Sequence, residues 1–240
     1  MPGFRRVFTI LIIFLGPGFA IWWLAKTVKN HFIILPYIGY EYQLDSSGKI
    51  VDSIPYQIPD FNLVSFTGEP INRDSIRDKF IILTTIQNTC PDIKECGPGF
   101  VLFNEILYSA MIEHPDSYKN VRVLSLLTDE NGNPDSIPSQ LLLEEMEVYD
   151  HSLWWFAKGD VKPFYSFNYY GDLFINQPST PTAGEIGSKA FVNSLVLIDK
   201  KGHIRGVTGA KSDTDIRNFF DLLKLLKKEE FEAARANKNK

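Results

Sequence analysis

Uninterrupted apolar runs mark the interior of this chain. Phe80-Ile81-Ile82-Leu83-Thr84-Thr85-Ile86 and Val121-Arg122-Val123-Leu124-Ser125-Leu126-Leu127 read as strands covered on both faces, as parallel strands are. Leu195-Val196-Leu197-Ile198-Asp199, the turn Lys200-Lys201-Gly202, and His203 to Thr208 read as a β-hairpin. Helical spacing appears in Phe100, Phe103, Leu107 and Ala110, an element that His114-Pro115 ends. It recurs in Ile216, Phe219, Phe220, Leu223 and Leu226, one stripe of a last helix starting at Ser212 or Asp213. Pro138 can open another helix through Leu141, Leu142, Met146 and Val148. Upstream, Phe61, Leu63 and Ser65 alternate before the turn Thr67-Gly68-Glu69-Pro70, and 74–79 looks like a short helical turn.

The resulting order is β, α, β, α, β-hairpin, α. Parallel strands with crossover helices, finished by an antiparallel hairpin and a helix, predict an α/β, thioredoxin-like fold: a central mixed sheet with flanking helices. Periodicity alone leaves that one option among several α/β folds. Residues 150–190 are the least readable. Their Trp154-Trp155-Phe156 cluster reads as core or interface, and 178–184 as a loop or flap.

The N-terminus follows a different pattern. Val7 to Ala25 is 19 residues without a charge, close to the roughly 20 that cross a bilayer. Arg5 and Arg6 precede it, and Trp22 and Trp23 sit at its far end, as interfacial aromatics do. Bulky Ile21-Trp22-Trp23 does not suit a signal-peptidase site, so an uncleaved transmembrane helix is expected, with Gly16-Pro17-Gly18 as a kink. The charge rule then favours a cytoplasmic N-terminus, with the rest of the chain outside the inner membrane. The expected organisation is an anchor over 1–25 and a juxtamembrane linker over 26–57, with a possible hairpin turning at Asp45-Ser46-Ser47-Gly48. The folded domain covers 58–228 and a charged, fraying tail 229–240.

Composition narrows function mainly by exclusion. Net charge is −4 and basic residues cluster only near the C-terminus, which argues against a nucleic-acid partner. Two cysteines are too few for a disulfide framework, and no CxxC…CxxC pattern suggests zinc.

Those two, Cys90 and Cys96, fall together in Thr89-Cys90-Pro91-Asp92-Ile93-Lys94-Glu95-Cys96, between the first buried strand and the helix after it. A helix N-terminus lowers a thiol pKa and makes a metal ligand or redox nucleophile there. A small structural disulfide, or two half-buried thiols, is the alternative.

With these residues in view, the chain resembles the SCO1/SenC family of membrane-anchored, thioredoxin-fold copper proteins. The matching stretches are Leu35-Pro36-Tyr37-Ile38-Gly39, Ile58-Pro59-Asp60-Phe61, Thr67-Gly68-Glu69-Pro70-Ile71, Thr89-Cys90-Pro91-Asp92-Ile93, and residues 196–206 (VLIDKKGHIRG). The resemblance implies a periplasmic domain on a single-pass inner-membrane anchor. It implies copper, Cu(I) or Cu(II), held by two thiolates and a distant histidine and passed to cytochrome c oxidase during assembly. Some members act instead as thiol-disulfide reductants on envelope partners.

Two departures stand out. The family spacing is Cys-x3-Cys, whereas five residues separate Cys90 and Cys96. The family's ligand histidine precedes the hairpin glycine by eleven positions, and counting back from Gly202 gives Phe191, which cannot coordinate a metal. Asn193 and Ser194 nearby are poor copper ligands, and no proline stands near Asn193, where redox thioredoxins carry a cis-proline. Among possible substitutes, His203 reads as a surface residue at a strand start, and His151 lies in a region that could approach the cysteine segment. His31 is juxtamembrane and His114 caps a helix; Asp92 and Glu95 offer only hard oxygen. Three functions follow: copper handling through Cys90 and Cys96, thiol-disulfide exchange in which Cys90 attacks and Cys96 resolves, or a non-catalytic binding module on the same fold.

Overall fold

The computed structural model describes residues 16–24, 34–87, 100–129, 131–179 and 189–238. Residues 16–24 of the apolar N-terminal run are helical, with every side chain exposed. Among the described residues no helix is long and apolar enough to cross a membrane. The remainder of the expected anchor lies outside the described residues.

From Ile34 onward the chain forms one compact unit around a seven-stranded sheet. Its strands are β3 (Asn62–Ser65), β4 (Pro70–Asn72), β5 (Phe80–Gln87), β6 (Val121–Thr128), β7 (Trp154–Gly159), β10 (Ser194–Ile198) and β11 (Ile204–Gly209). They lie in the order β11-β10-β5-β6-β7-β3-β4. β5, β6 and β7 run parallel, and β10 is antiparallel to β5 and to β11. The longer helices that accompany them, among the described residues, are α1 over residues 100–113, with a π-helical stretch at Asn104–Tyr108, α2 (Gln140–Met146) and α3 (Asp213–Lys238). Parallel strands with crossover helices, then an antiparallel hairpin and a closing helix, make this a thioredoxin-like α/β fold with a mixed central sheet.

The period-two alternation of each strand divides the core into two layers. Ile82 and Ile86 of β5, Val123 and Leu127 of β6, and Leu195 and Leu197 of β10 face one layer. There they meet Phe103, Leu107 and Met111 of α1, Leu142 and Met146 of α2, and Ile216, Phe219, Leu223 and Leu226 of α3. Ile81, Leu83, Leu124, Leu126, Val196 and Ile198 face the other. Among the described residues no long helix covers that second face. Aromatic residues at irregular spacing do so, namely Phe61, Phe164, Tyr165, Phe167, Phe174 and Phe191.

This explains why 150–190 is opaque to pattern reading. Trp154-Trp155-Phe156 is core, and it forms β7, a strand of the central sheet that the sequence does not announce. Trp154 and Phe156 face the helical layer, whereas Ala157 and Trp155 pack on the other side. The following residues fold as a short turn and a small hairpin of β8 (Asn168–Tyr169) and β9 (Asp172–Leu173).

Other differences are local. α2 begins after Ser139, whose hydroxyl accepts from Leu142 N at 3.3 Å, and only Leu142 and Met146 of the expected stripe are buried. Leu141 and Val148 are exposed. The expected hairpin is present as β1 (Tyr40–Leu44) and β2 (Ile50–Pro55), turning through Asp45, whose carboxylate accepts from Ser47 N and Lys49 N. The described part of the linker docks on the domain on either side of the hairpin, since Leu35 and Tyr56 are buried. The C-terminal tail is helical through Lys238, and Glu229 within it holds Arg205 at 2.8 Å. Burial alone would lower the pKa of that guanidinium; the hydrogen bonds and charges of Glu229, then Asp199, outweigh it and hold it above its ordinary value.

Candidate functional site

Ligand sites in open α/β sheets form beyond the carboxyl ends of the strands, where the strand order reverses. Here that point lies beside β5. The chain steps from β5 to β6 to β7 in one direction, then returns to place β10 on the other flank of β5. Residues 88–99 join the carboxyl end of β5 to α1, so the segment carrying Cys90 and Cys96 departs from this edge. Both cysteines, with Asp92 and Glu95, lie outside the described residues.

The described walls of this edge come from three other segments. The turn after β6 is closed by Asp129, whose carboxylate accepts from Asn131 N at 2.9 Å and Asn133 N at 2.7 Å. Residues 160–162 follow β7. A single 3-10 turn, Ala190–Asn193, leads into β10, and Thr85 of β5 secures it by donating to the Val192 carbonyl at 2.8 Å. A cleft of ≈ 560 Å³ opens between them, lined in part by Gly132, Asn133, Val161, Lys162, Lys189 and Phe191.

Phe191 stands where the family resemblance places a histidine. Its ring is buried and stacks on Tyr165 at 4.5 Å and 29°. Burial pushes the Tyr165 phenol far above its ordinary pKa, so it stays protonated. Gly132 packs against the tip of the same ring: at φ +82, a Cβ there would sit 2.6 Å from Phe191 Cζ and 3.0 Å from Val192 Cγ2. Gly132→Ala combines left-handed strain with a clash against a buried ring that also stacks on Tyr165. It is expected to cost about 2–4 kcal/mol, read as a lower urea midpoint with an unchanged m-value.

Three buried polar atoms near this edge have no hydrogen-bond partner among the described residues: Thr128 Oγ1 at the end of β6, Tyr165 OH, and Asn193 Oδ1. Periodicity could not have found them, because they come from three separate segments.

The histidines are placed unambiguously by the topology. His151 precedes β7, His203 sits in the β10–β11 turn, and His114 ends α1, so all three lie at the amino edge of the parallel strands. The suggestion that His151 could approach the cysteine segment is therefore corrected, because the two leave opposite edges of the sheet. His203 is not a surface residue either. It is largely buried, its Nδ1 lies 3.3 Å from Asp199 Oδ2, and its ring meets Tyr37 edge-on at 5.1 Å. His31 lies outside the described residues. Among the described residues no three His, Cys, Asp or Glu side chains are grouped to hold a metal ion.

These features define a thioredoxin-like protein whose two thiols follow the first parallel strand. No family model and no curated protein matches the chain. Solved structures similar to it include Sco-family proteins, the family its motifs resemble. BsSco, a member of the Sco family of cytochrome c oxidase assembly proteins, is 14% identical over 72% of this chain and 95% of its own, with a TM-score of 0.49. A SCO1/SenC family lipoprotein from Bacillus anthracis is 18% identical over 72% and 96%, with a TM-score of 0.49. Yeast Sco1 is 15% identical over 70% and 98%, with a TM-score of 0.45.

Proposed function

We propose that this is a membrane-anchored, Sco-like protein that carries copper on Cys90 and Cys96 for the assembly of cytochrome c oxidase. One observation carries the reading: the whole thiol inventory falls in the segment that leaves the carboxyl end of β5 at the point where strand order reverses. The family motifs and the uncharged run Val7–Ala25 support it, with the domain on the periplasmic side of the inner membrane. The donor chemistry favours Cu(I) as cargo. Soft thiolates select it, and a phenylalanine replaces the imidazole that would suit Cu(II) as well. Copper bound per chain, compared between the full-length protein and Cys90→Ser/Cys96→Ser, is the test. A loss of stoichiometric copper in the variant is expected, and equal copper in both ends the proposal.

Phe191 favours a second reading, thiol-disulfide exchange. The Cys90 thiolate attacks a partner disulfide and forms a mixed disulfide, expelling one partner thiolate. Cys96 then attacks the Cys90 sulfur, releasing the partner as a dithiol and leaving a Cys90–Cys96 disulfide. A reversible two-electron couple without tight copper binding selects this reading over the first.

A further inference from the structure

At the amino edge of the sheet, opposite the carboxyl edge where β5 ends, a cleft of ≈ 150 Å³ is lined by Ile58, Arg73, Ile76, Arg77, Lys200, Lys201 and Gly202. Two arginines arrive from the turn before β5 and two lysines from the β10–β11 turn. The wall contains no carboxylate. Arg73 donates to the Ile58 carbonyl, and its Nη2 would lie 3.9 Å from a Cβ on Gly202. Acids outside the lining partly balance three of the cations: Asp60 lies 3.9 Å from Arg73, Asp74 2.5 Å from Arg77, and Glu230 2.7 Å from Lys200. Lys201 is exposed and has no ion pair among the described residues. Further cations crowd the same edge. The Lys79 amine is held below its ordinary pKa by burial and then by the charge of Arg122.

The N-terminal end of the domain enters at this edge. The Leu35 carbonyl accepts from Arg205 Nη2 at 2.6 Å, and Ile38 N donates to the Ile204 carbonyl at 2.9 Å. In sequence, eight residues separate Ile34 from Ala25, the end of the uncharged run. If that run spans a bilayer, those residues reach at most about 30 Å. The β1–β2 hairpin that follows directly exposes Tyr40, Tyr42 and Leu44 on one face, residue types suited to a membrane interface.

We propose that the Arg73–Arg77–Lys200–Lys201 cleft binds the phosphate headgroups of an anionic bilayer, docking the amino edge of the domain on the membrane and turning the cysteine edge away from it. Guanidinium and ammonium groups around a small concavity match phosphoryl oxygens, and basic groups close to an anionic surface are attracted within a Debye length. The proposal rests on the anchored reading above.

The test uses the full chain in nanodiscs of phosphatidylcholine, with or without phosphatidylglycerol. Lysine acetylation is followed by mass spectrometry, with exposed Lys162 at the cysteine edge as internal reference. Lys201 labelling is expected to fall about fivefold in the anionic discs, to recover in about 0.5 M salt, and to be less protected in Arg77→Glu. Equal Lys201 labelling in both discs overturns the proposal. So does equal protection by millimolar inorganic phosphate in lipid-free detergent, which would assign the cleft to a soluble phosphate ester. Failure of the anchor is read separately, as release of the chain from vesicles by alkaline carbonate. Salt-sensitive Lys201 protection on preformed anionic vesicles then still reports on the cleft.

Discussion

Trp154→Ala is expected to lower stability by about 3–5 kcal/mol, a large share of the roughly 5–15 kcal/mol that holds a typical domain together. The indole is fully buried and touches Phe103 at 4.9 Å, Tyr149 at 4.5 Å and Phe156 at 5.1 Å between ring centroids. These rings come from α1, from the loop after α2 and from β7 itself, so the cavity would open where three segments meet and none could collapse alone. The indole Nε1 also donates to Ser125 Oγ at 2.8 Å, and removing it strips a buried hydroxyl of that partner. Trp154→Phe separates the two effects. It retains much of the volume but not the donor, and a loss of about 1–2 kcal/mol is expected. Urea denaturation of both variants checks the ranking; a Trp154→Ala midpoint within error of the parent would refute this account of the core.

The second large effect is expected at Arg205. Its side chain is 3% exposed and its guanidinium meets Asp199 at 3.3 Å, Glu229 at 2.8 Å and the face of Tyr37 at 4.4 Å. Replacing it with alanine removes the one guanidinium that Asp199 and Glu229 share, leaving Asp199 with His203 and backbone amides and Glu229 with Leu35 N, and breaking such a network costs about 3–5 kcal/mol. The penalty comes mainly from the charges left behind, so adding Glu229→Gln to Arg205→Ala should recover part of it. A double-mutant cycle would show strong coupling. Hydrogen exchange gives a local readout, because the amides of Leu35 and Ile38 lose protection first when the edge loosens. Uniform exchange across the chain would mean that Arg205 does not organise this edge.

Strands with long apolar runs were legible because burial on both faces favours that composition, with only a few small polar residues such as Thr84, Thr85 and Ser125 among them. β5, β6 and β10 are of this kind. β7 escaped because its apolar residues are confined to Trp154-Trp155-Phe156-Ala157, and the strand runs on through Lys158 and Gly159 without an apolar pattern. The second core layer escaped for a different reason. Phe164, Tyr165, Phe167 and Phe174 sit in turns and short bridges, where neither a two-residue nor a 3.6-residue period applies.

At the candidate site, the two thiols and the phenylalanine at 191, where the resemblance implies a histidine, were readable as residue types. Which edge His151, His203 and His114 occupy depends on strand direction, which local pattern does not encode. The cationic cleft was invisible for the same reason, since Arg73 and Lys201 lie more than half the chain apart and meet only because β10 runs against β5.

Leu35 N donates to Glu229 Oε2 at 3.0 Å, while the carbonyl of the same residue accepts from Arg205. The first and last portions of the domain are thus stitched to each other as well as to the sheet. Peeling from either terminus would have to break the same guanidinium clasp. Fraying, proteolytic nibbling or mechanical pull at one end would be felt at the other.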